Sequence, residues 1–232
     1  MSILTLSGWA QPADALVRGL SLHHAHRFDY SDYPNAAASF GALACYAEVD
    51  EIIAWSMGAQ LALRAVAAGV LRPKHMTLLT APYQFVSDAV FKGAMDPLTY
   101  QQFRDNYTRD PYRTKKKFHA LVAKGDQFAK RVQTMLDHHP EVENTARWLP
   151  WLNDLGETSL RDVTFRAWPP TLLIYGIEDA IVPIAQADKM PTLLPQAQVA
   201  RWSGVGHAPH LHDAARVLHE IAAHKQEVLQ AA

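Results

Sequence analysis

Short continuous runs of apolar residues alternate with longer amphipathic stretches near both ends of this 232-residue chain. Apolar runs of four to six residues bounded by turn residues predict buried parallel strands, and apolar residues spaced by three and four predict helices packed on them. The alternation predicts an α/β fold with a mostly parallel sheet and helices on both faces. The predicted strands span residues 3–6, 26–29, 51–55, 75–80, 171–175 and 198–202, and the predicted helices span residues 12–19, 35–48, 56–68, 184–194 and 214–229.

The alternation stops in the middle of the chain. From about residue 84 to residue 168 the pattern is mostly helical, without a convincing strand, and prolines mark both joints. A helical insert between two parts of one sheet predicts a lid over the core. We therefore divide the chain into an α/β core of residues 1–83 and 169–232 and a helical lid of residues 84–168.

Composition and charge exclude several classes of protein. Hydrophobic residues make up 49% of the chain, which is enough for a full core, and the formal net charge of −1 does not favour nucleic-acid binding. No run approaches the roughly 18 apolar residues of a membrane span, and no signal peptide is evident at the N-terminus. The single cysteine, Cys45, cannot form an internal disulfide bond, and its small-residue surroundings predict a packed, inert thiol. We expect a cytoplasmic protein.

The strongest chemical signal is a serine between a predicted strand and a predicted helix. Ala54 and Gly58 flank Ser56 at the two positions where a tight strand-to-helix turn tolerates only small side chains. The usual motif has glycine where this chain has Ala54. A turn of this type pushes the serine hydroxyl clear of the sheet, which predicts a nucleophile. The alternative is that Ser56 only caps the helix.

A nucleophilic serine needs a base and a carboxylate that orients the base. Asp179 lies in the turn after the strand at residues 171–175, and His207 lies in the loop after the last strand. The chain order Ser56, Asp179, His207 is the order found in α/β-hydrolases. Glu178 is the alternative carboxylate. Met57, as the first helical residue, and Trp9, in the loop after the first strand, are predicted to donate backbone N–H groups to an oxyanion.

These motifs resemble the α/β-hydrolase superfamily over essentially the whole chain, and within it the BioH and BioG types of biotin-synthesis carboxylesterase. The residues that carry the closer resemblance are Gly8-Trp9, Ala54-Trp55-Ser56-Met57-Gly58, Phe118-His119-Ala120-Leu121 and His207-Ala208-Pro209. Many members have histidine where this chain has Ser7. The resemblance implies cleavage of the methyl ester of a pimeloyl group held by acyl carrier protein. It also implies that Trp9 and Met57 contact the acyl chain and ester, and that Phe118 lines the acyl channel unless it is an ordinary lid-core aromatic.

Charge placement favours an acidic partner such as acyl carrier protein. Residues 104–131 contain nine Lys or Arg and three Asp, a net charge of +6, so the rest of the chain carries −7. The resemblance implies that Lys117 and Lys130 contact the carrier protein, and local clustering adds Arg113 and Arg131. The alternative is a solvated basic face that binds nothing.

The 12 histidines raise the question of a metal site. Two histidine clusters lack the spacing of zinc hydrolases and have no partner cysteines, so we predict neither a metal nor another cofactor. We therefore predict a serine carboxylesterase. Two alternatives remain: a small-molecule esterase, thioesterase or C–C hydrolase without a carrier protein, and a non-catalytic binding protein of the same fold.

Overall fold

The computed structural model describes residues 1–138, 145–164 and 167–231, with only the backbone of Thr145. Parts of the predicted lid (residues 139–144 and 165–166) and residue 232 of the predicted core lie outside this range. Six strands form one fully parallel sheet in the order β2-β1-β3-β4-β5-β6. The strands are β1 Ile3–Leu6, β2 His26–Arg27, β3 Glu51–Trp55, β4 His75–Leu79, β5 Thr171–Gly176 and β6 Gln198–Trp202. The predicted α/β fold is confirmed.

The chain changes direction across the sheet at β1. It runs outward from β1 to β2, then returns to place β3 on the other side of β1 and continues to β6. In open parallel sheets the crevice at such a reversal, beyond the carboxyl ends of the strands, is where ligands bind. The loops after β1 and β3 meet there, and they carry the predicted oxyanion residue Trp9 and the predicted nucleophile Ser56.

Helices cover the sheet, and four of the longer ones follow one another between β4 and β5. Two of these four helices begin in the same way: Asp96 caps α4 and Asp110 caps α5, each with proline as the first helical residue. The helices are α1 Ala15–Gly19, α2 Ala36–Leu43, α3 Met57–Ala67, α4 Pro97–Arg109, α5 Pro111–Ala123, α6 Ala129–Asp137, α7 Trp148–Glu157, α8 Met190–Leu193, α9 Pro209–His212 and α10 Ala214–Ala231. Among the described residues, no helix has the length and apolar character that a membrane crossing requires.

The prediction of a single helix over residues 184–194 is wrong. The structure has a 3₁₀ turn at Ile184–Gln186, a turn, and then the four-residue helix α8. Pro191 explains the break, because it has no backbone N–H to donate to the carbonyl of Ala187 one turn earlier. A proline is tolerated only in the first turn of a helix, so a new helix starts at Met190.

The prediction that Cys45 is packed is also wrong, because this residue is exposed. Helix α2 is shorter than the predicted segment of residues 35–48 and continues into a 3₁₀ turn at Ala44–Tyr46. The buried residues of α2 are Ala36, Ser39 and Leu43, which lie three and four apart on one face. Cys45 lies off this face, and the small size of its neighbours carries no information about burial.

Candidate active site

The turn between β3 and α3 holds Ser56 in an unusual backbone conformation. Its φ of 55° and ψ of −121° lie outside the regions that a residue with a side chain prefers. A Cβ atom added at Gly58 would lie 2.3 Å from the carbonyl oxygen of Leu6 and 2.5 Å from that of Ser7. The first turn of α3 therefore packs directly against the backbone of β1, and only glycine fits at position 58.

The Ser56 side chain makes no capping hydrogen bond to α3. Its Oγ lies 2.9 Å from Nε2 of His207 instead. The hydroxyl is thus paired with an imidazole, as a nucleophile and its base must be, and the capping interpretation of Ser56 is not supported.

Asp179 lies on the other side of the His207 ring. Its Oδ2 is 2.7 Å from Nδ1 of His207, and both side chains are almost fully buried. The second carboxyl oxygen, Oδ1, accepts the backbone N–H groups of Ile181 and Val182 at 2.7 and 2.9 Å. Glu178 is exposed and accepts backbone N–H groups of the loop after β6 through Oε2. Asp179, rather than Glu178, therefore orients the imidazole in this structure.

The backbone of His207 is held as firmly as its ring. The indole N–H of Trp55 and the hydroxyl of Thr80 both donate to the His207 carbonyl, at 2.8 and 3.1 Å. The backbone N–H of His207 donates to the carbonyl of Val122 at 3.2 Å. Trp55 belongs to the serine motif, but nothing in the sequence assigns these three residues to the histidine, because the contacts join distant parts of the chain.

The loop that carries His207 lies directly over the end of β5. A Cβ atom at Gly176, the last residue of β5, would lie 2.2 Å from the carbonyl oxygen of Val205 and 2.3 Å from that of Gly206. A side chain at this position would push the loop away from the sheet. Gly176 directly follows the predicted strand and comes three residues before the predicted acid. A glycine in this place is the sequence signal that could have indicated the close approach.

The two predicted oxyanion donors lie on the loops after β1 and β3. Met57 is the first residue of α3, so its N–H has no acceptor within the helix. Trp9 lies in a turn closed by the N–H of Gln11 and the carbonyl of Gly8 at 3.2 Å. The phenol of Tyr30 donates to the carbonyl of Ser7, at the start of this loop. Burial raises the pKa of Tyr30 well above its usual value, which keeps the phenol protonated as a donor.

The predicted substrate residues have buried side chains in the described structure. The Trp9 indole donates to the carbonyl of Trp148, the first residue of α7, at 2.9 Å and meets the ring of Phe118 edge-on, with centroids 5.2 Å apart. Phe103 and Tyr107 of α4 complete the aromatic cluster around Trp9. The structure brings Trp9 and Phe118 together. Whether an acyl chain reaches them, or reaches Met57, stays a prediction.

The predicted partner residues lie on α5 and α6 and divide into two groups. Arg113, Lys117 and Lys130 are exposed, and none of them forms an ion pair within the described part of the chain. Arg131 differs, because its guanidinium donates to the carbonyl of His212 and lies over the ring of Phe128. Three of the four cations are thus free to meet an acidic partner, whereas Arg131 also joins α6 to α9.

We call the exposed Lys and Arg side chains of residues 104–131 the basic surface. An open cavity of about 580 Å³ adjoins it at Lys130 and Arg131 and is lined by residues of the stretch 127–135. A cavity of about 820 Å³ lies at the opposite end of the sheet, beside the start of β5. Within the described ranges, no group of three or more His, Cys, Asp and Glu side chains is arranged to hold a metal ion.

Comparison with known proteins places the chain in a family. Residues 3–220 match the alpha/beta hydrolase family. The chain belongs to the alpha/beta hydrolase family. The sequence-based assignment to this superfamily is therefore confirmed.

Curated relatives within this alpha/beta hydrolase family agree with the closer resemblance. The chain is 29% identical over 229 residues to a pimeloyl-[acyl-carrier protein] methyl ester esterase from Nitrosomonas europaea, covering 90% of this chain and 89% of the relative. It is 27% identical over 231 residues to a protein of the same name from Xylella fastidiosa, covering 92% and 90%. These relatives support classification as a carboxylic-ester hydrolase.

Solved alpha/beta hydrolase structures share the fold at low identity. An esterase from Exiguobacterium antarcticum has a TM-score of 0.78 and 14% identity, with 97% of this chain and 92% of the other covered. A 2-hydroxy-6-oxo-6-phenylhexa-2,4-dienoate hydrolase from a Rhodococcus species has a TM-score of 0.66, also at 14% identity, with 97% and 90% covered. At such identities the likeness shows the fold alone, and the fold hosts more than one hydrolytic reaction.

Proposed function

We propose that this chain is a serine carboxylesterase of biotin synthesis that hydrolyses the methyl ester of a pimeloyl group carried by acyl carrier protein. The observation that carries the serine mechanism is the buried chain of contacts from Ser56 Oγ through His207 to Asp179, at 2.9 and 2.7 Å. The names of the curated relatives support the substrate.

In the acylation step, Nε2 of His207 takes the proton of the Ser56 hydroxyl while Oγ attacks the ester carbonyl carbon. The carbonyl oxygen becomes an oxyanion, for which the backbone N–H groups of Met57 and Trp9 are the proposed donors. Asp179 accepts a hydrogen bond from Nδ1–H and stabilises the imidazolium. When the tetrahedral intermediate collapses, the methoxy group takes the proton from Nε2 and leaves as methanol.

In the deacylation step, His207 acts on water instead of serine. Nε2 takes a proton from a water molecule, the resulting hydroxide attacks the acyl carbon, and the second tetrahedral intermediate releases the carboxylic acid. The proton on Nε2 returns to Ser56 Oγ, which restores the starting state. The same imidazole serves both steps because its Nδ1 stays hydrogen-bonded to Asp179 throughout.

The carrier-protein part of the proposal depends on the lid. Arg113, Lys117 and Lys130 offer exposed positive charge that is not paired with any described carboxylate, in a segment of net charge +6. Complementary charge accelerates encounter with an acidic partner and orients it. A carrier protein docked there would present its acyl group beside α5, which also carries Phe118. A cytoplasmic location is also part of the proposal and is supported by the single cysteine.

Charge reversal on the lid tests the carrier-linked substrate. In the double variant Lys117→Glu and Lys130→Glu, kcat/KM for pimeloyl methyl ester on acyl carrier protein should fall roughly tenfold or more, and further at low salt. Hydrolysis of a short p-nitrophenyl ester should be unchanged, because neither lysine contacts the triad. A matched control reverses two exposed lysines outside the basic surface, Lys92 and Lys189, and should leave both reactions unchanged.

Equal losses on both substrates, or none on the carrier-linked one, would favour a small-molecule esterase, thioesterase or C–C hydrolase. The variant Ser56→Ala should lose several orders of magnitude on either substrate. It should also fail to rescue a biotin-auxotrophic host that lacks its own pimeloyl-ester esterase, whereas the unaltered chain should succeed. A folded protein that resists labelling by a fluorophosphonate would instead indicate a non-catalytic binding protein.

A further inference from the structure

The lid contacts the loop that carries His207 through backbone hydrogen bonds. We call residues 122–128 the lid loop and residues 204–207 the histidine loop. The N–H of His207 donates to the carbonyl of Val122 in the lid loop at 3.2 Å. In the other direction, the N–H of Gln127 donates to the carbonyl of Gly204 at 2.9 Å. A Cβ atom at Gly206 would lie within 3.4 Å of three lid-loop atoms, including the carbonyl oxygens of Val122 and Lys124. The lid loop therefore wraps around the residue before the catalytic histidine.

Asp126 is the central residue of this contact. Its side chain is almost fully buried, with 1% exposed, and its Oδ2 accepts the backbone N–H of Gly206 at 3.1 Å. Its Oδ1 accepts the N–H of Phe128 at 2.7 Å, which closes the lid loop on itself. One buried carboxyl group thus fixes the shape of the lid loop and holds the peptide group that precedes His207.

His212 completes the arrangement from the core side. Its Nδ1 lies 2.9 and 3.0 Å from the two carboxyl oxygens of Asp126, and its ring is buried. The carbonyl of His212 accepts the guanidinium of Arg131, so the ring and the backbone of this residue both bond to the lid. The carboxyl group of Asp126 therefore has donors from three directions, and a shift of the lid loop would have to break several of these bonds at once.

We propose that Asp126 is a positioning residue, which sets the place of the His207 imidazole from the lid through the N–H of Gly206, and that His212 holds Asp126 in place. The inference rests on the serine mechanism proposed above. The ring of His207 must meet Ser56 Oγ and Asp179 at the same time, so a shift of its backbone would disturb both contacts. Displacement of a catalytic group by about 1 Å costs on the order of 100-fold in rate.

The variant Asp126→Ala tests the proposal with a short p-nitrophenyl ester. We expect kcat to fall about 10- to 100-fold with KM within about twofold of its original value, because the substrate-binding surface is untouched. The rate of labelling by a fluorophosphonate should fall in proportion, since labelling requires His207 to activate Ser56. In protein that remains folded at the assay temperature, simple loss of stability does not lower kcat at an unchanged KM.

Two variants of His212 provide a second test should Asp126→Ala fail to fold. His212→Asn keeps an amide N–H near the position of Nδ1 and should retain most of kcat, whereas His212→Ala removes the donor and should lower kcat severalfold. The matched control is Asp88→Ala. Asp88 also accepts two backbone N–H groups and a cationic side chain, but none of these belongs to the histidine loop. It should lower the melting temperature and leave kcat unchanged.

The proposal is overturned if folded Asp126→Ala keeps kcat within twofold, if its loss lies only in KM, or if Asp88→Ala loses as much kcat at an equal loss of melting temperature. Equal activity of His212→Asn and His212→Ala would exclude the role given to His212. Ser56→Ala is assayed in parallel. Full activity of Ser56→Ala would remove the serine mechanism itself, whereas an inactive Ser56→Ala beside an active Asp126→Ala would remove the positioning role alone.

Discussion

The candidate site contains two buried histidine–carboxyl pairs of similar geometry in two different regions. Asp179 and His207 both come from the core, with Oδ2 and Nδ1 2.7 Å apart. Asp126 comes from the predicted lid and His212 from the predicted core, with Oδ1 and Nδ1 2.9 Å apart. Burial and the carboxyl–Nδ1 contact are common to both pairs, so neither of these features identifies a base.

The difference lies at Nε2, the nitrogen of each ring that does not contact the carboxyl group. Nε2 of His207 faces the hydroxyl of Ser56 at 2.9 Å, whereas Nε2 of His212 faces the side-chain amide nitrogen of Gln127 at 3.4 Å. A hydroxyl can give up a proton and then attack a substrate, but an amide cannot. This difference supports the roles proposed above, proton transfer for the core pair and holding of the backbone for the lid pair, although the chemical groups are the same.

The largest expected effect separates the two pairs directly. In Asp179→Asn, the N–H groups of Ile181 and Val182 fix the amide oxygen in the place of Oδ1, so the amide NH₂ faces Nδ1 of His207. The imidazole must then carry its proton on Nε2 and cannot accept one from Ser56. We expect kcat to fall by about 10⁴, as the same change does in serine proteases, with the fold intact by circular dichroism.

Glu178→Gln is the control for this variant, since Glu178 is the neighbouring carboxylate and its Oε2 accepts the N–H groups of Gly204 and Val205 rather than the imidazole. It should change kcat by less than about threefold, because a glutamine oxygen still accepts these bonds. A large loss in Glu178→Gln together with an active Asp179→Asn would reverse the assignment of the acid.

The core pair was open to prediction from sequence, and the lid pair was not. Ser56 is recognisable from Gly58 and from the strand and helix on either side, and Asp179 and His207 each follow a predicted strand. Parallel strands bring their carboxyl ends to one edge, so position along the chain already implies proximity. No such rule relates Asp126 to His212, which are 86 residues apart and meet only because the lid folds back on the core.

A smaller effect is expected where the core itself holds His207. Trp55→Phe removes the indole donor to the His207 carbonyl and leaves the hydroxyl of Thr80 as the remaining donor. We expect kcat to fall by up to about tenfold and the free energy of unfolding to fall by about 1–3 kcal/mol, from the lost hydrogen bond and the cavity. Steady-state kinetics and urea denaturation measure the two effects separately.

Trp202→Phe is a matched control for this prediction. Trp202 is equally buried, and its indole nitrogen has no hydrogen-bond partner among the described residues. The same volume is lost without loosening His207, so stability should fall while kcat stays unchanged. A similar loss of kcat in both variants would mean that packing at the carboxyl ends of the strands, rather than the bond to the His207 carbonyl, sets the geometry.

The contacts of His207 also mark the limit of sequence reasoning for the fold. The bounds of β1, β3 and β6 were predicted correctly, because short runs rich in apolar residues and the turn residues beside them are local signals. The break at Pro191 was missed although a local rule explains it. The hydroxyl of Thr80 and the carbonyl of Val122 could not have been found, since both contact His207 across more than 80 residues of chain.

The smallest effect concerns a third buried histidine, His119, which joins the lid to the loop after β1. Its Nδ1 lies 2.8 Å from Oδ1 of Asp137, and its Nε2 lies 3.4 Å from Nε2 of Gln11. A neutral ring satisfies both contacts, with Nδ1–H donating to Asp137 and Nε2 accepting from the amide of Gln11. Burial is the main cause that lowers the pKa of His119, and Lys115 lowers it further, whereas Asp137 opposes the shift.

Because the pKa of His119 is lower in the folded protein than in the unfolded chain, protonation favours unfolding. The stability that the neutral ring contributes is complete above the unfolded pKa of about 6.5 and is lost as the pH falls below it.

His119→Asn keeps a donor for Asp137 but does not titrate, so its free energy of unfolding should decrease less between pH 7.5 and pH 5 than that of the unaltered chain. Burial also lowers the pKa values of His75 and His224, so part of the decrease should remain. Urea denaturation at the two pH values measures the difference, with the exposed His23→Asn as the control. An undiminished decrease in His119→Asn would show that the contact between the lid and the loop after β1 does not depend on a neutral His119.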